Sequence, residues 1–485
     1  MLFNSYIFIF VFLPIIFIVY FLLNKFKLLM ASKIWLLGAS LLFYGYWNIK
    51  FLPLLLGSIF WNYYCGFLLI QSEARNISNL QRKIIVSFGI IVNLLLLGYF
   101  KYTDFFIANI NFISKQNFSL LHLVLPIGIS FFTFTQIAYL VDAYKDTAQE
   151  YSFINYGLFV TFFPHLLAGP IIHHREMMPQ FDQMRNKMIN YKNIVEGVYL
   201  FIIGLAKKVI VADTFAIWSD KGFKITSPLS FLDAWATSLS YTFQLYFDFS
   251  GYTDMALGAA LLFNIKLPIN FNSPYRALTI QDFWQRWHIT LSRFLREYIY
   301  IPLGGNRRHE IRVQVNLMIT FLIGAFWHGA GWMFLFWGLM HGTAFLIQRI
   351  WTKTGFTLPN ILAWLITFNF INISWIFFRA EKWSVARNIL KGMVGLNGLI
   401  VPFTLIDILS FIKPYGIKFG LLGIMEKDFI FLSILSLSLV LFCKNSNQII
   451  ESFKPTWVNA LFAGFLFVCS ILSFTRLKEF LYFNF

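Results

Sequence analysis

Three stretches of this 485-residue chain set ionisable side chains within otherwise apolar sequence. One is Phe326-Trp327-His328-Gly329, with His328 inside a run, 313–348, that holds no charged residue. The second is Trp287-His288. The third is Tyr246-Phe247-Asp248-Phe249-Ser250-Gly251-Tyr252-Thr253-Asp254, two carboxylates in one apolar segment. A histidine in such surroundings is neutral near pH 7 and can accept a proton, which suits a general base. Two carboxylates there either carry protons for a transporter or hold helices together by hydrogen bonds. Composition and spacing leave both readings open. His341, in Trp337-Gly338-Leu339-Met340-His341-Gly342, reads as structural, as do His122, His165 and His309. The three cysteines, Cys65, Cys443 and Cys469, have neither zinc-ligand nor disulfide spacing, and no metal site is expected.

The surroundings of these residues follow from composition. Hydrophobic residues make up 58% of the chain and charged residues 13%, roughly half the charge share of a soluble protein. No soluble fold has interior enough for 60 Phe and 15 Trp, so the chain is read as a polytopic protein whose partner is the lipid bilayer. Ionisable groups inside a membrane are costly and are functional candidates by default. Lys and Arg outnumber Asp and Glu by 39 to 22, an excess that fits basic cytoplasmic loops rather than a nucleic-acid surface. Residues 1–24 lack the basic start and small-residue cleavage site of a secretory signal and read as a retained first transmembrane helix.

A spanning helix needs about 20 largely apolar residues. Uncharged runs cover 1–24, 34–49, 51–72, 84–100, 116–141, 151–174, 234–247, 313–348, 354–378, 429–443 and 455–475. The segment 194–212 also reads as a span, although Lys207 and Lys208 interrupt it. The run 313–348 is too long for one crossing and divides at Gly329-Ala330-Gly331. Roughly eleven to thirteen spans are expected. Lys25, Lys27 and Lys33 in one loop, and Arg75, Arg82 and Lys83 in another, place both loops in the cytoplasm and the amino terminus outside. Two polar stretches interrupt the spans, 172–193 and 282–312. In the second, Asp282–Arg286 and Arg293–Glu297 are i,i+4 pairs, and Phe283, Trp284, Trp287, Leu291, Phe294, Leu295 and Tyr298 fall near helical spacing. The spacing predicts an amphipathic helix lying in or near the membrane interface. No internal repeat stands out, which counts mildly against a transporter built of repeated halves.

The chain resembles the membrane-bound O-acyltransferases, in the bacterial branch serving alginate and peptidoglycan O-acetylation and teichoic-acid D-alanylation. The strings that carry the resemblance are Ala168-Gly169-Pro170-Ile171, Phe247 to Asp254 as quoted above, Asn272-Ser273-Pro274-Tyr275-Arg276, Phe283-Trp284-Gln285-Arg286-Trp287-His288-Ile289-Thr290-Leu291-Ser292, Tyr300-Ile301-Pro302-Leu303-Gly304-Gly305 and Phe326-Trp327-His328-Gly329. They occur in family order over about 165–342, and together they are specific. The resemblance implies an all-α polytopic fold around a central funnel or tunnel, with interfacial amphipathic helices. It implies one membrane-embedded domain over 1–485: N-terminal helices in 1–118, a motif-bearing core in 119–350 and C-terminal helices in 351–485.

By the same resemblance His328 matches the catalytic histidine and His288 the second, less invariant position. Asp248, Ser250, Asp254, Arg286, Trp287 and Trp327 are expected to shape the substrate site. The chain ends Phe480-Leu481-Tyr482-Phe483-Asn484-Phe485, a Phe-x-Tyr-x-x-Phe pattern like that of the short partner of the D-alanyl transfer system, here fused. Tyr482 is expected to carry the acyl group outward as a phenolic ester; an aromatic-belt residue at the membrane interface is the plainer alternative. The implied activity moves acetyl from a cytoplasmic thioester, acetyl-CoA or an acyl carrier, for O-acetylation of an extracytoplasmic alginate-like polysaccharide or peptidoglycan. No bound cofactor is expected. A separate extracytoplasmic O-acetyltransferase is an expected partner, and the bacterial inner membrane the expected location. D-alanyl transfer to teichoic acid and a proton-coupled transporter using Asp248 or Asp254 are the competing readings.

Overall fold

The computed structural model describes residues 1–402, 418–420, 423–425, 427–476 and 480–481. It is helical almost throughout. Among the described residues the only strands are Ile400–Pro402 and Lys418–Gly420, a short parallel pair. The first helices are α1 (Leu13–Lys25), α2 (Leu29–Gly45), α3 (Leu52–Ile70) and α4 (Asn79–Ser114). Helix α4 starts at a capping box in which Ser78 and Gln81 satisfy each other's backbone N–H groups. Its outward face carries Ile84, Phe88, Ile91, Leu95 and Phe106, all exposed, whereas Asn93 is buried and bonded to Asn62 of α3 at 3.1 Å. Apolar residues outside and amides within is the arrangement expected where the solvent is lipid.

By length and composition, five helical stretches among the described residues can cross a membrane: Phe8–Lys25, Ile49–Ile70, α4, α14 (Glu310–His328) and α16 (Asn360–Arg379). Helix α2 and the helix Trp457–Leu472 are apolar but shorter. Between α14 and α16 lies α15 (Trp332–Lys353), so the long uncharged run does divide at Gly329-Ala330-Gly331. Two expected spans take other forms. Of 116–141, the part before Pro126 and Gly128 is not helical, and α5 begins at Ile129 and runs to Tyr144. The run 151–174 divides into α6 (Phe153–Thr161) and α7 (Phe163–Leu166), followed by irregular chain. Pro164 lacks the N–H that would continue the first helix, and Gly169-Pro170 stops the second.

The basic loops gather at one end of the bundle. Lys33 pairs with Asp182 at the end of α8 (His174–Asp182), and Arg82 with Asp146 after α5. Arg349 of α15 pairs with Glu310 at the start of α14.

The centre is a pair of antiparallel helices, α9 (Tyr191–Ala206) and α11 (Phe231–Leu262), with α10 (Asp213–Lys224) continuing α9. Nearly every side chain of α11 is buried. The two backbones meet at glycines: a Cβ on Gly204 would lie 2.5 Å from the Gly251 carbonyl oxygen, and one on Gly258 would lie 2.6 Å from that of Gly197. Small residues two turns apart on both helices allow this approach, as in membrane helix pairs generally. A π-helical segment, Lys207–Ala212, follows α9 directly and turns two consecutive lysines toward α11. Replacing Gly251 by Val is therefore expected to overpack the contact, at a cost of about 1–3 kcal/mol. Thermal unfolding in detergent should show a lowered midpoint for Gly251→Val and none for Gly464→Val, where a Cβ meets open space.

Candidate active site

His328 is the last residue of α14, where the final carbonyls have no partner within the helix. Two side chains of α4 supply them. Lys101 donates to the Trp327 carbonyl at 2.6 Å and Tyr102 to the Phe326 carbonyl at 2.9 Å. The lysine charge also opposes the negative end of the helix dipole. Lys101 reaches Ser130 at 3.2 Å as well, tying α5 to the same point. The position of His328 is thus fixed by a neighbouring helix at the residue before it. The ring itself is buried, edge-on to Trp337 (ring centroids 5.5 Å apart) and to Phe378 (5.1 Å).

His288 is fully buried, and its ring centroid lies 6.4 Å from that of His328. It stands between α12 (Ile280–Arg286) and α13 (Ile289–Leu295) with φ +45°, a left-handed conformation uncommon outside glycine. Strain of this kind persists where neighbours over-determine it and concentrates at functional sites. The neighbour here is Asn270. Its side-chain oxygen accepts from Thr290 N–H at 3.2 Å and Thr290 Oγ1 at 2.8 Å, and lies 3.3 Å from His288 Nδ1. An acceptor at that distance puts the proton on Nδ1 and leaves the lone pair on Nε2. Thr290 in turn accepts from Ile171 N–H at 3.0 Å, which ties the Gly169-Pro170-Ile171 turn to the same knot.

The amphipathic helix expected across 282–298 is instead two helical pieces, α12 and α13 with its π-helical continuation Arg296–Tyr300, broken at Trp287-His288. The Asp282–Arg286 pair forms at 2.6 Å, but Arg293 turns from Glu297 to clasp both oxygens of Glu176 at 2.8 and 3.0 Å. Glu297 lies 3.7 Å from His173 instead. Phe283, Trp287, Leu291 and Phe294 are buried in protein, so this apolar face packs on the core.

The remaining expected site residues separate into four groups. Trp327 lies beside both histidines, 4.9 Å from His328 and 6.2 Å from His288, whereas Trp287 reaches the ring beside His328 only through Trp375 and Trp337. Asp248, Ser250 and Asp254 lie buried on α11, where Phe249 meets the His288 ring edge-on at 4.8 Å. Asp254 is engaged by Lys207 at 2.7 Å and by Ser446 at 2.6 Å, and Asp248 by Lys208 at 2.6 Å. Arg286 is not brought to the histidines; it is held by Asp282 and the Asn272 carbonyl. Tyr482 lies outside the described residues. His341 has structural partners, Trp284 at 3.2 Å and Ser374 at 3.0 Å, and His165 the Phe159 carbonyl at 3.0 Å. Among the described residues no cluster of side chains could hold a metal ion.

Reading by residue type missed Lys101, Tyr102 and Asn270. A lysine inside the apolar helix of 79–114 was the available signal for the first. Asn270 carries none, because its partners come from tertiary contact.

A cavity of about 310 Å³ lies at the end of α14, lined by Lys101, Asp104, Leu125, Phe334 and Gly329, the residue after His328, at the end of the bundle away from the basic loops. A second, of about 520 Å³, lies at the basic end between Glu176, Gln180, Arg185, Asn193, Asn264 and Lys266.

The fold is thus a helical bundle with apolar outer faces whose interior holds His288 and His328 with ring centroids 6.4 Å apart. Residues 46–380 match the membrane-bound O-acyltransferase family, and the chain belongs to it. It is an acyltransferase enzyme and a multi-pass membrane protein. The chain is 49% identical to a peptidoglycan O-acetyltransferase of Helicobacter pylori, over 100% of this chain and 98% of that one. It is 40% identical to a probable alginate O-acetylase of Pseudomonas aeruginosa, over 82% of this chain and 75% of the other. With a teichoic acid D-alanyltransferase of Bacillus subtilis it shares 27% identity over 54% of this chain and 70% of the other.

Lys101→Met keeps the apolar stem and removes the donor to Trp327. It is expected to lower acyl transfer at least tenfold, about 1.4 kcal/mol of barrier, in a protein that still folds and melts cooperatively, at a somewhat lower midpoint. Parallel turnover and melting assays on the purified protein check this; an unchanged rate would show that the helix end holds His328 without Lys101.

Proposed function

We propose that this enzyme moves an acetyl group from a cytoplasmic thioester to the outer face of the bacterial inner membrane, for O-acetylation of peptidoglycan. The observation that carries the reading is the pair of buried rings, His288 and His328, edge to face with centroids 6.4 Å apart, the second of them directly preceding Gly329 in the wall of a cavity. The choice of peptidoglycan over an alginate-like polysaccharide rests on the relative that is 49% identical along the whole chain. The D-alanyl reading has less support, since that similarity is lower and covers about half of the chain.

A thioester is already activated, so the remaining task is to deprotonate an oxygen nucleophile and hold it against the carbonyl carbon. His328 takes the proton of the attacking hydroxyl as the new C–O bond forms. The C–S bond then breaks, and the imidazolium returns the proton to the leaving thiol. General-base assistance of this kind contributes on the order of 10²–10⁴-fold, and fixed orientation adds to it. His288, with its Nδ1 proton directed at Asn270, orients the reacting groups from the other side. The aromatic walls from Trp327, Trp337 and Phe378 keep water from competing for the thioester.

In this account the first acceptor is the phenol of Tyr482. Its ester is reactive enough for a glycan hydroxyl to displace the tyrosine in a second, equivalent step, on this protein or on an extracytoplasmic partner. The donor is acetyl-CoA or an acetylated carrier, which the basic end of the bundle suits by charge.

The test is O-acetyl content of peptidoglycan in cells whose only copy of the enzyme is a variant. His328→Ala is expected to reduce O-acetylation by 10² or more, with normal membrane level and melting behaviour. Tyr482→Phe is expected to block delivery to the same degree. Normal O-acetylation by His328→Ala would remove the catalytic assignment; normal O-acetylation by Tyr482→Phe would return that residue to the aromatic belt.

A further inference from the structure

Two consecutive lysines and three aspartates lie in the interior of the bundle, where each ionised group needs a partner. Lys207 and Asp254 form one set, with Ser446 as a further donor to the carboxylate. Lys208 forms the other, between Asp213 at 2.8 Å and Asp248 at 2.6 Å, with all three side chains 3% exposed or less. The Asp248 carboxylate divides its two oxygens. Oδ1 meets Lys208, and Oδ2 accepts the backbone N–H of Leu481 at 3.1 Å.

Leu481 lies 233 positions from Asp248 in sequence, close to the end of the chain. The residue before it is seated as well. Phe480 is 2% exposed and stacks on Tyr252 with centroids 4.5 Å apart and planes at 21°. It also lies 5.6 Å from Phe249, the ring that meets His288 edge-on at 4.8 Å. One aromatic ring thus separates Phe480 from the histidine pair. Asp248, Phe249 and Tyr252 fall within one turn of α11, so one helix face holds the tail's backbone and its ring together.

We propose that Asp248 is a positioning residue that clamps Phe480-Leu481 into the bundle one ring away from His288, with Lys208 fixing the carboxylate, an anchor set one residue before Tyr482 in sequence. A hydrogen bond to an ionised acceptor is roughly twice as strong as one between neutral groups, and burial strengthens it further. A backbone donor makes the clamp independent of the side chain at 481. The role of Tyr482 rests on the reading above; the clamp itself does not.

The test uses the full chain in detergent, digested with a carboxypeptidase and followed by intact mass. Wild type is expected to stop losing residues at Leu481. Asp248→Ala is expected to be trimmed past Phe480 at least tenfold faster, whereas Asp248→Asn, which keeps an oxygen acceptor, retains protection. Leu481→Pro removes the donor while leaving both buried ion-pair sets intact. It is expected to melt as wild type does and to deliver acetyl at least tenfold more slowly, so the proposal remains testable if Asp248→Ala fails to fold. Equal trimming of wild type and Asp248→Ala overturns the clamp, as does wild-type delivery by Leu481→Pro where Tyr482→Phe is inactive. Protection that depends on Asp248 together with full activity of Tyr482→Phe would keep the clamp and reject the acyl relay.

Discussion

Charges cannot stay unpaired inside a bundle surrounded by lipid, and that constraint organises this molecule. An ionised side chain at the centre of a bilayer costs about 2.5–3.5 kcal/mol on insertion scales. Lys207 and Lys208 must therefore meet Asp254 and Asp248, and they do so at 2.7 and 2.6 Å. The backbones of α9 and α11 meet at the Gly197–Gly258 and Gly204–Gly251 pairs, which sets the lysines that follow α9 alongside the aspartates of α11. The π-helical segment then turns both lysines inward instead of one. With α11 fixed this way, its next face carries Phe249 to His288 and Tyr252 to Phe480.

The same economy of partners explains the carboxyl end of α14. A helix that stops inside the bundle exposes carbonyls that no water can reach, so α4 brings Lys101 and Tyr102 to them. That arrangement holds His328 at a defined height opposite His288. The break that places His288 is held in turn by Asn270 and Thr290. Each histidine is set by a polar contact one or two residues away, with aromatic rings filling the remaining walls. Preorganisation of this kind reduces the reorganisation needed at the moment of transfer.

Much of this was legible in the sequence. The membrane class followed from composition, the division at Gly329-Ala330-Gly331 from its glycines, and the structural role of His341 and His165 from the ordinary behaviour of buried histidines. The Asp248 and Asp254 readings stayed open because their partners lie in another run, where Lys207 and Lys208 looked only like an interruption. Two lysines in one apolar segment and two aspartates in another, both flanked by glycines, were the signal for the pairing. The break at His288 gave no such sign. No proline or glycine stands there, and the left-handed turn is imposed by Asn270 from a distant loop. Helix α5 starts only at Ile129 because Pro126 and Gly128 interrupt the backbone, and the 151–174 run divides at Pro164; hydropathy alone carries neither signal.

The central claim is that an acetyl group passes through this chain by way of His328 to the carboxyl-terminal tyrosine. The most direct measurement incubates the purified protein in nanodiscs with acetyl-CoA carrying a labelled acetyl group, then quenches and maps the label by peptide mass spectrometry. The account predicts an acetyl ester on the peptide holding Tyr482 in wild type, and none in His328→Ala. Label on that peptide without His328, or label confined to a different part of the chain, would contradict it.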